Sequence, residues 1–274
     1  MKIKDHFLSQ EVFEIKPSRF EGILETTPKP SADKLDEYYD SPNYISHQTK
    51  ARSLKDKIYQ GVKSIMINRK KRLIMGYKRE GKILDVGAGT GEFLDAFEKK
   101  NWKKTVLEPS SKFQSVYKEK NFSILKTLSQ AKENSFDVIT LWHSLEHIPQ
   151  LEDTVKELKR ILKPNGVIFI AVPNYKSYDS KFYKAYWAAW DVPRHLWHFS
   201  RDGLKQLFRK ENFYCAKEVG LPFDAYYVSL LSENYKPKGF KLRAFFIGVL
   251  SNLKSSSNQE YSSIIFVLRP NKAQ

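Results

Sequence analysis

The sequence predicts an α/β protein built on a doubly wound, mostly parallel sheet with helices on both faces. Three observations predict it. Short apolar or β-branched runs, "KILDV", "KTVLE", "FDVITLW" and "GVIFIAV", recur between residues 82 and 172. Helical patterns such as "GEFLDAFEKK" and "LEDTVKELKRILK" separate them, which is the alternation that βαβ units require. A glycine-rich turn, "DVGAGTGEF", joins the first run to the first helix, at a place where such sheets bind ligands. With 274 residues, 41% of them hydrophobic, the chain is long enough to bury a sizeable core.

Taken in order, residues 1–79 form an N-terminal extension. Pro17, Pro28, Pro30 and Pro42 exclude a long helix at its start, so short strands or loops are expected, then a tyrosine-rich stretch, "EYYDSPNYISHQ". Residues 50–79 carry eleven Lys or Arg against Asp56 alone. Leu54, Ile58, Val62, Ile65, Leu73 and Ile74 recur there near the helical period, which predicts a basic helix. The main domain is expected over 80–274. Within it "KPNG" at 163–166 reads as a turn between helix and strand. An aromatic insertion covers 173–200, and Ser200 is placed to cap the helix "RDGLKQLFRKEN". "FYCAKEVG" is the next strand. A helical insertion spans 221–258 and "YSSIIFVLR" is the last strand. In that insertion "GFKLRAFFIGVLSNL" reads as a core-covering helix, with a lipid surface as the other reading.

Composition narrows the function classes. The single cysteine, Cys215, excludes an intrachain disulfide and a cysteine-based zinc ribbon. The charged first fifteen residues do not resemble a secretory signal, and the longest apolar runs are far short of the roughly 20 residues that span a bilayer. A cytoplasmic protein is expected. The formal net charge of +16 admits an anionic partner, either nucleic acid or a membrane surface, alongside the plain reading of a solvated basic helix.

The most specific feature is "ILDVGAGTGEFL". Asp85 ends an apolar strand, and Gly87, Gly89 and Gly91 follow at every second position. Glycine permits positive φ and close backbone approach by a ligand. The dinucleotide fingerprint would place its third glycine where Glu92 stands, and a carboxylate there opposes a pyrophosphate. In this stretch the chain resembles the class I S-adenosylmethionine-dependent methyltransferases, whose first motif is an acid followed by Gly-x-Gly-x-Gly. Glu108 of "TVLEPS", "FDVITLWHSLEHIPQ" and "ILKPNGVIFIAVPN" are similar to that family's later landmarks. The branch it looks most like is that of the ubiquinone-biosynthesis O-methyltransferases, with "LEH" and "PRHLWHFS" after the fourth and fifth strands. The resemblance implies a Rossmann-like sheet of seven strands with the last one antiparallel, and S-adenosylmethionine as cofactor, released as S-adenosylhomocysteine. It implies cofactor contacts at Asp85, Gly87, Ala88, Gly89, Gly91, Glu108, Pro109, Leu128, Trp142 and His143. A carboxylate at Glu108 can accept both hydrogen bonds of a ribose cis-diol. Relatives with such an extension often carry paired cysteines where Pro17, Ser18, Arg19 and Phe20 stand, so zinc is not expected there, and the extension keeps a packing or lid role.

Methyl transfer needs alignment and a dry site, plus a base where the acceptor must lose a proton. His147 and His195 are the candidate bases, against the alternative of histidines satisfied by backbone and water. Arg194 either holds an anionic group of the substrate or pairs with Asp191. Trp190, His198, Tyr44 and His47 are the candidate substrate contacts, although His198 also reads as an anchor for the helix after it and clustered aromatics are often core. His143, Glu146 and His147 have ligand-like spacing, but no metal is assigned. The expected activity is methylation, most simply O-methylation, of a small-molecule or lipid-like acceptor, with peripheral membrane contact admitted and no stable protein partner. A nucleic-acid methyltransferase is the alternative; no Asn-Pro-Pro-Tyr-like motif or RNA-binding module supports it. The third reading is a cofactor-binding module without turnover.

Overall fold

The computed structural model describes residues 1–31, 34, 36–39 and 54–271. Tyr44 and His47 lie outside the described residues. The N-terminal extension contributes strands β1 (Lys2–Lys4), β2 (Val12–Pro17) and β3 (Ile23–Thr27), followed by a 3-10 turn, Asp36–Tyr39. The basic segment is helix α1 (Leu54–Met75). The main sheet then starts with β4 (Gly81–Val86), the short α2 (Glu92–Asp95), β5 (Trp102–Leu107), α3 (Gln114–Glu119), β6 (Ser123–Leu125) and β7 (Phe136–Trp142). It continues through α4 (Leu151–Ile161), β8 (Leu162–Pro173), α5 (Tyr178–Tyr183), β9 (Trp197–Phe199) and α6 (Arg201–Arg209). β10 (Phe213–Gly220), α7 (Pro222–Tyr235), α8 (Lys241–Asn258) and β11 (Ser263–Pro270) complete it.

The seven-stranded sheet has the order β10-β11-β8-β7-β4-β5-β6. β4 pairs in parallel with β5 and β7, and β5 with β6, whereas β10 and β11 are antiparallel. This is the Rossmann-like arrangement with its last strand reversed. Residues Val167–Val172 of β8 are all buried, as a central strand with both faces covered requires. α4 buries Leu151, Val155, Leu158 and Ile161, one stripe at helical spacing. The Ser200 hydroxyl accepts from the Gly203 amide at 3.1 Å and caps α6.

Two local expectations change. The turn expected at 163–166 is part of β8, which starts directly after α4; Leu162 lies over Gly166, where an added Cβ would meet Leu162 Cδ1 at 2.6 Å. The helix expected over "GEFLDAFEKK" keeps only four residues. Beyond them Phe97 turns back by a bond from its amide to the Leu94 carbonyl and packs against Phe93 and Trp102, so tertiary packing overrides the helical pattern.

By internal contacts the chain forms two compact units, one made of Met1–Asp40, His143–Glu152 and Ile170–Asn271, the other of the remainder. That division does not follow the 79/80 boundary. The reason is pairing: β1, β2, β3 and β9 form a second, antiparallel sheet, so the extension shares a sheet with the 173–200 insertion. Ile3, Phe13 and Ile15 share a core with Tyr183, Trp187 and Trp190. Among the described residues no helix is long and apolar enough to cross a membrane.

Candidate functional site

Four neighbouring parallel strands deliver one set of candidate residues at their carboxyl ends: Asp85 on β4, Glu108 and Pro109 after β5, Leu128 after β6 and Trp142 at the end of β7. Between β4 and α2, Gly87, Gly89 and Gly91 take φ of 73°, 52° and 70°, the left-handed region that glycine enters without a Cβ penalty. Gly91 is packed, since an added Cβ would meet Phe122 at 3.1 Å and Tyr117 at 3.2 Å. Gly89 faces open space within 4 Å. The two glycines therefore differ: one closes the turn onto the protein, and the other leaves a bare backbone surface for a ligand.

The two acids are held differently. Asp85 is buried, and its Oδ1 accepts from the Thr140 hydroxyl at 2.6 Å. Burial raises its pKa to about 7 despite that bond. Glu108 uses one carboxylate oxygen for the Gly89 amide at 2.9 Å and the other for the Ser110 amide at 3.1 Å. Each oxygen keeps a lone pair, so the carboxylate retains capacity for a diol. Ala88 lies within the same turn. The Trp142 ring has Phe93 edge-on at 5.1 Å and the Lys70 ammonium at 4.4 Å, and its buried Nε1 has no hydrogen-bond partner among the described residues. The open glycine, the half-used carboxylate and the orphaned indole N–H fit a polar, extended ligand such as S-adenosylmethionine.

Directly after Trp142 the chain enters the other unit and builds a histidine cluster. His143 has φ 55°, rare outside glycine, and the 3-10 turn Leu145–His147 follows. The ligand-like spacing is therefore not one α-helical turn. His143 Nε2 lies 3.3 Å from Asp224 and its Nδ1 3.6 Å from Glu146. Burial alone would depress its pKa, but the two carboxylates raise it to about 9.

Glu146 is 1% exposed and neither carboxylate oxygen has a hydrogen bond among the described residues. Burial opposes its charge, yet the field of His143, His195 and His147 holds its pKa below the usual range. His147 Nδ1 lies 3.0 Å from the Arg194 carbonyl and 2.9 Å from the Tyr39 hydroxyl. A carbonyl can only accept, so Nδ1 carries the proton and Nε2 keeps its lone pair. His195 donates from Nδ1 to the Ala189 carbonyl at 2.9 Å, and its Nε2 lies 3.9 Å from Asp191 and 4.0 Å from Glu146. Desolvation, then the neighbouring His195, depresses the His147 pKa to about 4. Glu146, His147 and His195 each offer one ligand atom, all within 4.8 Å of one another. A buried carboxylate and two imidazoles thus stand together, an arrangement that suits an incoming proton or a divalent cation.

Other candidates are occupied. Arg194 is 1% exposed, donating to Asp191 at 2.7 Å and to Asp5 at 2.9 Å, so the pairing reading describes its guanidinium and the substrate-anion reading finds it taken. His198 is buried, with Nε2 2.9 Å from Thr26 Oγ1 and Trp190 edge-on at 5.0 Å. Its pKa lies well below the ordinary value, through burial first and His195 second. Trp190 belongs to the aromatic core. Both side chains are buried and packed against neighbouring residues. Reading the sequence missed Tyr39, Thr140, Asp5 and Asp224. Only Tyr39 had a signal, the "EYYD" cluster; the others are short polar side chains with distant partners.

The parallel sheet, the acid and open glycine turn, and the second acid together define a Rossmann-like S-adenosylmethionine-dependent methyltransferase. The profile of the methyltransferase domain family matches residues 62–218, more than half of the chain, and the chain belongs to that family. The demethylmenaquinone methyltransferase of Staphylococcus aureus is 31% identical over 105 residues, covering 34% of this chain and 44% of that one. The chain thus spans less than half the length of the curated relatives it matches. A putative sarcosine dimethylglycine methyltransferase from Galdieria sulphuraria has a TM-score of 0.56 at 14% identity, covering 88% of this chain and 99% of that one. The 1,6-didemethyltoxoflavin-N1-methyltransferase of Burkholderia thailandensis, solved with S-adenosylhomocysteine, scores 0.53 at 13% identity over 98% and 99%. At those identities the structures support the shared fold.

Proposed function

We propose that the protein methylates an ionisable oxygen of a small-molecule or lipid-like acceptor, with His147 receiving the proton. One observation carries this reading: Glu146, His147 and His195 each offer one ligand atom within 4.8 Å of the others, and the Glu146 carboxylate has no hydrogen bond among the described residues. S-adenosylmethionine supplies a methyl group made electrophilic by its sulfonium; the glycine turn and Glu108 are its proposed holders. A histidine with a pKa of about 4 is neutral at physiological pH and keeps its lone pair. It is a weak base, but an oxygen gaining a third bond makes its own proton strongly acidic, so a weak base suffices. Glu146 beside it offsets the charge of the imidazolium. Arg194 and Tyr39 act through Nδ1 as positioning residues.

The test is a screen of phenolic and other hydroxylated acceptors with labelled S-adenosylmethionine. With the acceptor found, His147→Asn is expected to lower turnover by about 10²–10⁴-fold while cofactor affinity in calorimetry is kept. An unchanged rate removes His147 from the mechanism. No transfer to any acceptor despite tight cofactor binding favours the module without turnover. A divalent cation on Glu146, His147 and His195 is the second reading, favoured by their 4.8 Å clustering. Loss of turnover on chelation, restored by added metal, selects it over the proton-accepting role.

A further inference from the structure

We propose that the α7–α8 hairpin seats the protein on an anionic lipid surface. The observation is an inverted helix. α8 turns its small side inward: Ala244, Gly248, Ser251 and Ser255 are buried, and Ile247 is the one large residue among them. An added Cβ on Gly248 would meet Tyr226 of α7 at 2.5 Å, so the two helices cross closely there. The Ser251 hydroxyl donates to Asp179 at 2.8 Å and that of Ser255 to the Ser251 carbonyl at 2.6 Å. α8 is thus docked by small and polar contacts.

Its large apolar residues point the other way. Leu242, Phe245, Phe246, Leu250 and Leu253 each keep 40–63% of their surface exposed. At 100° per residue they fall on a single face. On α7, Phe223 and Leu230 repeat the pattern, outward and 39% exposed, above a buried Ala225, Ser229 and Ser232. A helix that hides serine and glycine while showing phenylalanine and leucine is solvated at a cost unless something apolar covers it.

Charge selects the occupant. Residues 234–259 contain Lys236, Lys238, Lys241, Arg243 and Lys254 and no acidic residue. Arg243 is bound to Glu233, whereas the four lysines make no ion pair among the described residues. A second copy meeting this face would set one group of lysines against another. A bilayer with anionic headgroups offers apolar depth beside negative charge, and lysine stems reach from one to the other. α8 would lie in the interface plane, since no described helix can cross a membrane.

The experiment is flotation of the full chain with vesicles of phosphatidylcholine alone and of phosphatidylcholine mixed with phosphatidylglycerol. Binding is expected to the mixed vesicles and to weaken with salt. The double variant Phe245→Ser, Phe246→Ser is expected to lose at least about tenfold in partitioning, with its thermal unfolding unchanged because both rings are exposed. Lys236→Glu with Lys241→Glu should lose binding to a similar degree. Absence of binding by the wild type overturns the proposal. Binding that salt removes but the serine variant retains also overturns it, because that is charge attraction without insertion. A dimer abolished by the serine variant, with no vesicle binding, assigns the face to a second copy and overturns it too.

Discussion

Gly89 and His143 each give a prediction at the scale of a single residue. Gly89 combines φ of 52° with open space where a Cβ would stand, so the two costs of replacing it separate. Gly89→Ala is expected to lose about 1–2 kcal/mol of stability from the left-handed backbone, since the methyl meets no protein atom. If Gly89 holds the cofactor as proposed, cofactor affinity is expected to fall more than about tenfold, because the methyl would fill the open space beside its backbone. Calorimetry showing undiminished affinity would remove Gly89 from the cofactor site. His143 gives a pH signature. Its pKa of about 9 lies above the ordinary 6.5, because Asp224 and Glu146 outweigh the burial that opposes its charge. The stabilisation is therefore fully present below pH 6.5 and is lost as pH rises through about 9. Thermal scans across that window should show a melting temperature that declines, and less steeply in His143→Gln. Equal slopes in the two proteins would sink the assignment.

At the scale of elements, the Arg194–Asp5 pair ties the loop after β1 to the segment before β9. Both side chains are buried, and Asp5 also accepts from the Ser9 amide at 2.8 Å. Arg194→Met leaves a buried carboxylate without its cation, which costs about 3–5 kcal/mol. Asp5→Asn in the same chain removes that charge, so urea unfolding should find the double variant more stable than Arg194→Met alone. A double variant that is no better would mean that the guanidinium acts by packing. Such pairs mark the limit of what the sequence shows. The strands and the glycine turn were legible because period, β-branching and glycine spacing are local signals. Asp191, three positions from Arg194, was legible as a partner, whereas Asp5 stands 189 positions away and no local pattern announces it. The same limit explains α8: its apolar stripe was visible, but periodicity does not say which side of a stripe faces the protein. It explains Trp190 and His198 as well, whose burial depends on β1, β2 and β3 folding onto their insertion.

For the whole molecule the governing quantity is charge. Lys and Arg number 47 against 31 acids, and α1 alone carries Lys55, Lys57, Lys63, Arg69, Lys70, Lys71 and Arg72 against Asp56. Part of this is neutralised locally, as where Lys63 pairs with Glu92, but most remains as a long-range positive field. Such a field attracts any polyanion without reading its sequence, and it does so by releasing counterions. The protein is therefore expected to bind unrelated RNA or DNA at low salt. Its log affinity should fall linearly with log salt, by about 10³-fold or more between 50 and 200 mM if six or more phosphates are neutralised. Attraction of this kind places no particular base or ribose against the histidine cluster, so the bound nucleic acid is expected to remain unmethylated. Filter binding across a salt series, run beside transfer of labelled methyl into the same RNA, separates the two properties. Steep salt dependence with no label in the RNA leaves the small or lipid-like acceptor in place. Label entering the RNA at a stoichiometric site would make nucleic acid the substrate and give the positive field a part in recognition.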